Sequence, residues 1–130
     1  MLNPITNNKT YLLNYATVWL IIIGIHFAVL HWYYQIPLYI SVFDSLLFNT
    51  FFAFLGISLW YVVRYNKPKS NFIYLLINHG ISALIIISFW FISGYLILRY
   101  AINDIHYLAF LDSSLPWRII SGVFYYAAFV

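Results

Sequence analysis

The sequence predicts an all-α integral membrane protein: a bundle of four transmembrane helices, the fourth truncated at the carboxyl terminus. Hydrophobic residues make up 65% of the 130 residues and charged residues only 7%, whereas soluble domains have roughly 45–50% and 25%. Three stretches reach the roughly 20 apolar residues that a membrane-spanning helix needs. A fourth such stretch begins near the end of the chain. We therefore expect a single transmembrane helical domain over residues 1–130.

The first predicted helix covers about residues 15–34 and contains no charged residue. It is too long, and too aromatic at its end, for a cleavable signal peptide, so we expect it to be retained. The second predicted helix covers about residues 38–63 and is uncharged except for Asp44. Because a carboxylate is costly in hydrocarbon, we expect Asp44 to face protein, water or the headgroup edge.

The third predicted helix covers about residues 71–98 and carries no formal charge, and the fourth covers residues 117–130. After Arg118 the fourth helix has 12 uncharged residues. These reach about 18 Å, against a hydrocarbon core of roughly 30 Å. We therefore expect the protein to continue beyond Val130.

The positions of the cations predict an orientation. The connection between the second and third helices contains Arg64, Lys67 and Lys69 and no acid, whereas the connection before Leu38 contains no Lys or Arg. Positive residues favour the cytoplasmic side. We therefore expect both chain ends in the cytoplasm, a multi-pass protein of the bacterial inner membrane, and an external loop over residues 99–116.

Composition excludes several function classes. The six Lys and Arg residues lie in loops and at helix ends, which indicates membrane topology and not a nucleic-acid surface. Without cysteine there are no disulfides and no thiol catalysis. The chain also has no glutamate, no Gly-rich phosphate loop and no recognisable Ser-His-Asp grouping. We therefore expect no catalytic, cofactor-binding or metal-binding residues within these 130 residues.

Polar residues in the predicted helices indicate a candidate sensing or intramembrane polar site. Its candidate members are His31, Asp44, Asn49, Asn78 and His79. On the second helix, small and polar residues recur every four positions from Ser41, which places them on one face beside Asp44. Such a face fits a polar pocket for a ligand or proton, and the alternative is ordinary hydrogen bonding and close packing between helices.

The histidines allow further hypotheses. His31 and Asp44 lie near the outer ends of their helices, where a pair would titrate near neutral pH and sense external acidity. His26 and His79 would suit a haem held from both sides, although their predicted depths differ, at about 16 and 12 Å. His106 in the external loop has one neighbouring acid, which is too few ligands for a metal site. A structural role is the alternative for each histidine.

The start of the fourth helix carries a resemblance to a known family. Its sequence, LPWRIISGVFYY over residues 115–126, has a Pro-Trp-Arg entry followed by a small pair and aromatic residues. It resembles the last membrane helix of LytS-type sensor histidine kinases with short four-helix sensor regions. The uncharged first helix, the basic loop at residues 64–69 and the long third helix are similar as well.

The resemblance implies an amino-terminal transmembrane sensor region of such a kinase. The chain would anchor a homodimer in the lipid bilayer and relay a stimulus to a cytoplasmic kinase region beyond Val130. That region would use ATP and Mg, act on a response regulator and contain all catalytic residues. Trp117 and Arg118 would then fix the depth of the output helix.

Two other functions remain open from the residues. The first is a small membrane carrier or channel subunit whose polar path includes Asp44 and Asn49. The second is a haem- or quinone-binding membrane protein that transfers electrons and depends on His26. Loss of substrate flux on Asp44→Asn would indicate the first, and loss of a Soret band on His26→Ala would indicate the second.

Overall fold

The computed structural model describes residues 2–65 and 71–130, and these residues are almost entirely helical, with no β-strand among them. The helices are α1 (Pro4–Asn7), α2 (Lys9–Ala28), α3 (Leu38–Tyr65), α4 (Phe72–Ala101), α5 (Ile105–Ser113) and α6 (Leu115–Phe129), and a π-helical turn (Val29–Tyr33) continues α2. Within this part of the chain, three helices are long and apolar enough to cross a membrane: α2 with its π turn, α3 and α4. The predicted all-helical class and membrane-spanning character are confirmed to this extent.

Helix α2 begins earlier than the sequence predicts, at Lys9 instead of about residue 15. Its first turn is capped by Asn8, whose side-chain oxygen accepts a hydrogen bond from the Thr10 amide at 2.9 Å. The predicted start was placed where the apolar residues begin. The helix in fact starts earlier, because the Asn8 cap stabilises a polar turn that precedes the apolar residues. Lys67 and Lys69, on which the predicted orientation depends, lie outside the described residues.

The predicted external loop over residues 99–116 contains a helix, α5, that the sequence analysis did not predict. Asp104 caps it, because its Oδ1 accepts a hydrogen bond from the Tyr107 amide at 2.9 Å. Ser114 joins α5 directly to α6, and Pro116 lies in the first turn of α6, where a missing amide proton costs least. Helix α5 therefore packs against the end of the bundle.

Helix α3 lies at the centre of the bundle, between α2 on one side and α4 and α6 on the other. Its Phe48 and Phe52 rings meet Trp90 of α4 edge to face, with ring centroids 5.2 and 5.1 Å apart. The Trp90 indole also donates a hydrogen bond to the Phe48 carbonyl at 2.7 Å. Because it is so anchored, α3 can hold its polar face in a defined position.

Helices α2 and α6 contact each other near the amino-terminal end of α2. The ring of Trp19 lies 5.3 Å from that of Tyr125, and the ring of Tyr15 lies 6.1 Å from that of Phe129. Further along α2, towards the π turn, a cavity separates the two helices. The π turn and α5 lie at the same end of the bundle, where the ring of Tyr34 contacts that of Phe110.

Candidate functional site

A buried ion pair joins α3 to α6. The Arg118 guanidinium donates from Nη1 to Oδ1 of Asp44 at 2.8 Å and from Nη2 to Oδ2 at 2.6 Å. The Asp44 side chain is 0% exposed and that of Arg118 7%. Two parallel N–H donors match the two oxygens of a carboxylate, which adds geometric specificity to the charge attraction. The pair therefore sets both the distance and the relative rotation of the two helices at this level.

Further side chains form hydrogen bonds with the remaining polar atoms of the ion pair. The Tyr107 hydroxyl of α5 donates to Oδ2 of Asp44 at 2.8 Å, and Nε of Arg118 donates to Oγ of Ser114 at 2.8 Å. The Arg118 guanidinium also lies over the Phe48 ring, 4.4 Å from its centroid, in a cation–π contact. A buried ion pair is tolerated only when its remaining polar atoms are bonded, and this one meets that condition.

The Tyr107 hydroxyl keeps its proton and donates it to the Asp44 carboxylate. Burial of its phenol, together with the adjacent negative charge of Asp44, raises the pKa of Tyr107 above its usual value. The hydroxyl therefore stays protonated at physiological pH. The hydrogen bond from α5 to the Asp44 carboxylate is therefore not lost by ionisation of Tyr107 in this pH range.

A second polar cluster lies one turn further along α3, at Asn49. Its Nδ2 donates to the Ser45 carbonyl at 2.7 Å and contacts Nδ1 of His26 at 2.9 Å. Its Oδ1 accepts a hydrogen bond from the Tyr125 hydroxyl at 3.0 Å. Because a backbone carbonyl can only accept, the amide nitrogen of Asn49 must face Ser45. This cluster joins α2, α3 and α6.

Both polar clusters reach one cavity of about 430 Å³ between the carboxyl-terminal half of α2, with its π turn, and the α5–α6 unit. Apolar side chains from these elements, with Trp90 from α4, form most of its wall. Its polar lining includes His26, Tyr34, Asn49, Ser114, Arg118, Ser121 and Tyr125. A mostly apolar cavity of this size with a few convergent polar groups is typical of a small-molecule site.

The structure brings two of the five candidate site residues into this region, Asp44 and Asn49. The hypothetical pair of His31 with Asp44 is not formed, since Nδ1 of His31 lies 2.9 Å from the Ile36 carbonyl and Asp44 pairs with Arg118. His31 lies in the π turn and contacts the segment that directly follows this turn, at Ile36, whereas Asp44 faces α5 and α6. A sensor of external acidity built on these two residues is therefore not supported.

Asn78 and His79 lie on α4 and are half-buried. Nδ1 of His79 lies 3.2 Å from the Tyr126 hydroxyl. Tyr126 is eight residues beyond Arg118 on α6, which corresponds to roughly 12 Å along the helix. The five candidate residues thus do not form one site. His26 and His79 also have separate partners, and the described residues contain no group of three or more side chains suited to a metal ion.

The predicted role of Arg118 as a depth anchor of the output helix stays a prediction, and its side chain is buried rather than exposed. Its guanidinium points into the bundle, because the Asp44 carboxylate is there to bind it. Trp117, its neighbour, is 68% exposed and lines the outer part of the cavity. The role of Trp117 as an anchor stays a prediction.

The pairing of Asp44 with Arg118, and the parts played by Tyr107 and Tyr125, were not predicted from the sequence. One signal was available. The predicted topology puts the starts of the second and fourth helices, and with them Asp44 and Arg118, on the same side of the membrane. A lone acid and a lone cation that share one side in apolar surroundings favour pairing. No comparable signal indicated either tyrosine.

In comparisons with known proteins, no family model, no curated protein and no solved structure matches the chain. What the site can do therefore follows from its own geometry. It fastens α6 to α3 and α5 through one charge pair. It also places polar groups in the wall of a cavity large enough for a small molecule.

Proposed function

We propose that this chain is the membrane-anchoring and signal-input domain of a two-component sensor histidine kinase. In this proposal α2, α3, α4 and α6 are four transmembrane helices of an inner-membrane protein with both ends in the cytoplasm. A kinase region that uses ATP and Mg follows α6, works as a homodimer and phosphorylates a response regulator. The supporting observation is the attachment of α6, the helix that carries the family-like Pro-Trp-Arg segment, by Arg118 to Asp44 beside a cavity.

The ion pair supplies the two-state element that a relay needs. A bidentate buried pair is either formed or broken, since intermediate separations leave two charges without partners in a low-dielectric region. A ligand or a helix shift that favours the broken state would release α6 from α3. Discrete rearrangements of packed helices are a common way to transmit such a change. The output would be a rotation or displacement of α6 towards the cytoplasm.

Autophosphorylation of the product of the complete coding sequence tests this function. Reconstituted in lipid vesicles with labelled ATP, the protein should take phosphate on histidine. Asp44→Asn and Arg118→Gln should each shift the basal rate in the same direction, because both break the same pair. The matched control is Asp112→Asn, which removes the exposed pair with Arg99 and should leave the rate unchanged. A stop codon directly after Val130, or a rate indifferent to both pair variants, contradicts the proposal.

A second candidate is a small carrier or channel subunit with a polar path at Asp44 and Asn49. The cavity favours it, because Asn49 and Arg118 both line that space. Its test is solute flux in proteoliposomes, with Asp44→Asn expected to abolish flux while the protein remains folded. The ion pair weighs against this candidate, since Asp44 is fully engaged by Arg118 and Tyr107.

A further inference from the structure

The hydrogen bonds of Asn49 determine the tautomer of His26. One amide proton of Asn49 goes to the Ser45 carbonyl, and the other points to Nδ1 of His26 at 2.9 Å. Nδ1 must therefore accept, which leaves the ring neutral with its proton on Nε2. A protonated ring would set an N–H group against the amide N–H of Asn49. His26 thus presents a hydrogen-bond donor, Nε2–H, and it is one of the residues that line the cavity.

The charges around the cavity are balanced. Arg118 lines the cavity, but its positive charge is matched by the Asp44 carboxylate at 2.6 and 2.8 Å. His26 is neutral, and Asn49, Ser121 and the other polar lining groups carry no charge. A charged ligand would have to leave water without a counter-charge of its own in the site. The cavity therefore favours a neutral ligand.

The walls and the mouth of the cavity are apolar. Ile25 on α2, Val29 on the π turn and Trp117 on α6 line it, and they are 60%, 43% and 68% exposed. Ile25 and Val29 belong to a candidate membrane span, so a mouth on this side would face hydrocarbon where that helix crosses a membrane. A ligand that enters here must partition into the membrane first. Lipophilic molecules do so, and hydrophilic ones do not.

We propose that the cavity between α2 and α6 binds a neutral lipophilic molecule whose carbonyl oxygen accepts a hydrogen bond from Nε2 of His26. A quinone-like ring carbonyl and the ester carbonyl of a lipid both have this chemistry. The site deepens the proposed function by giving the class of its stimulus, and only that link rests on the proposed function. Binding itself rests on the cavity and on the donor.

Two probes that differ only in their carbonyl groups test the site: menadione and 2-methylnaphthalene. Equilibrium dialysis would compare their binding to the full chain in lipid nanodiscs with binding to empty nanodiscs of the same lipid. We expect one saturable menadione site and affinity for 2-methylnaphthalene about tenfold weaker, as one lost hydrogen bond of typical strength implies. His26→Phe should remove this preference, whereas the control His31→Phe, on the same helix but outside the cavity lining, should keep it.

Other results would overturn the site. These are no saturable binding above empty nanodiscs, equal affinity for both probes, or a preference that survives in His26→Phe. If His26→Phe does not fold, Ser121→Phe replaces it, since a ring at this position on α6 fills the cavity and should abolish binding of both probes. Nanodiscs of ether-linked lipids distinguish the two carbonyl sources. Tighter menadione binding there identifies the lipid ester as the resident ligand, and unchanged binding identifies a quinone-like molecule.

The same experiments separate the two proposals. If the chain binds menadione but the complete protein takes no phosphate on histidine, the binding site stands and the kinase function fails. If the complete protein is a kinase that depends on the Asp44–Arg118 pair but no saturable probe binding occurs, the ligand class fails alone.

Discussion

Arg118 and Asp44 lie 74 residues apart in the sequence and face each other with both carboxylate oxygens engaged, at 2.8 and 2.6 Å. Neither side chain has significant contact with solvent. Each charge is therefore tolerated only because the other is present. This mutual dependence makes the pair both a fastening between α3 and α6 and a point at which the bundle can be released.

Removal of one partner should strongly destabilise the bundle. We expect Asp44→Asn or Arg118→Gln to lower the free energy of unfolding by about 3–5 kcal/mol, because each leaves an uncompensated buried charge or an unmatched donor. The double variant should lose clearly less than the sum of the two. Unfolding in mixed detergent micelles measures all three. The control Arg99→Gln breaks only an exposed pair and should have little effect. Strict additivity of the two single variants would contradict the interpretation.

The Tyr107 hydroxyl should stabilise the attachment of α5. Tyr107→Phe keeps the ring and removes only the hydrogen bond to Oδ2 of Asp44. Since hydrogen bonds to charged groups contribute about 1.5–3 kcal/mol, we expect a loss of that size in the same unfolding measurement. Tyr33→Phe is the matched control, because the Tyr33 side chain is 78% exposed. Equal stability of the two variants would show that the bond contributes nothing.

Helices α4 and α6 approach each other closely at Gly122. A Cβ added there would lie 2.7 Å from Cζ3 of Trp90, and Trp90 cannot move freely because its indole donates to the Phe48 carbonyl. We expect Gly122→Ala to cost about 1–3 kcal/mol of stability, the usual effect of overpacking. At Gly24 on α2 no atom lies within 4 Å of an added Cβ. Gly24→Ala should therefore be neutral or slightly stabilising. Thermal unfolding of both variants measures the difference.

Asp112 should make a small contribution to stability that depends on pH. A hydrogen bond from Tyr95, and secondly the charge of Arg99, hold the pKa of the Asp112 carboxyl below its usual range. A group whose pKa is lower in the folded state stabilises above its unfolded pKa, about 3.9 for Asp, and loses that effect as the pH falls through the folded value.

The difference in melting temperature between the wild type and Asp112→Asn should therefore be positive and constant above about pH 5. It should begin to decline near the unfolded pKa of about 3.9 and vanish only once the pH is below the lower, folded pKa. High salt should reduce it, since the pair with Arg99 is exposed. A difference that grows as the pH falls would contradict the sign of this linkage.

Much of the fold was predictable because hydropathy is a local property. An uncharged run near residues 15–34 or 71–98 identifies a candidate membrane helix whatever its neighbours are, and the structure has long apolar helices there. Helix α5 was missed for the same reason. Its nine residues mix polar and apolar side chains, and the burial of Tyr107 and Leu111 depends on the bundle beneath them.

The candidate site was predicted only in part. Asp44 and Asn49 were predicted as site residues because polar side chains are costly within apolar spans. In the structure both are buried among polar partners. Arg118 was interpreted as an interfacial anchor, because a cation at a helix end usually reaches water. Its direction depends on the rotation of α6 about its own axis, and no local pattern specifies that rotation relative to α3.

Local sequence patterns are thus enough to predict the class of protein: an all-helical chain with apolar helices suited to a membrane. The sequence also predicts that Asp44 faces protein, water or the headgroup edge, because a carboxylate is costly in hydrocarbon. Only the tertiary structure decided that Arg118 and Tyr107 are the partners, that Asn49 holds His26 in one tautomer, and that α2 and α6 diverge around a cavity. Hydropathy depends on residues that are close in the sequence and can therefore be read locally. These contacts depend instead on how helices distant in the sequence rotate and pack together.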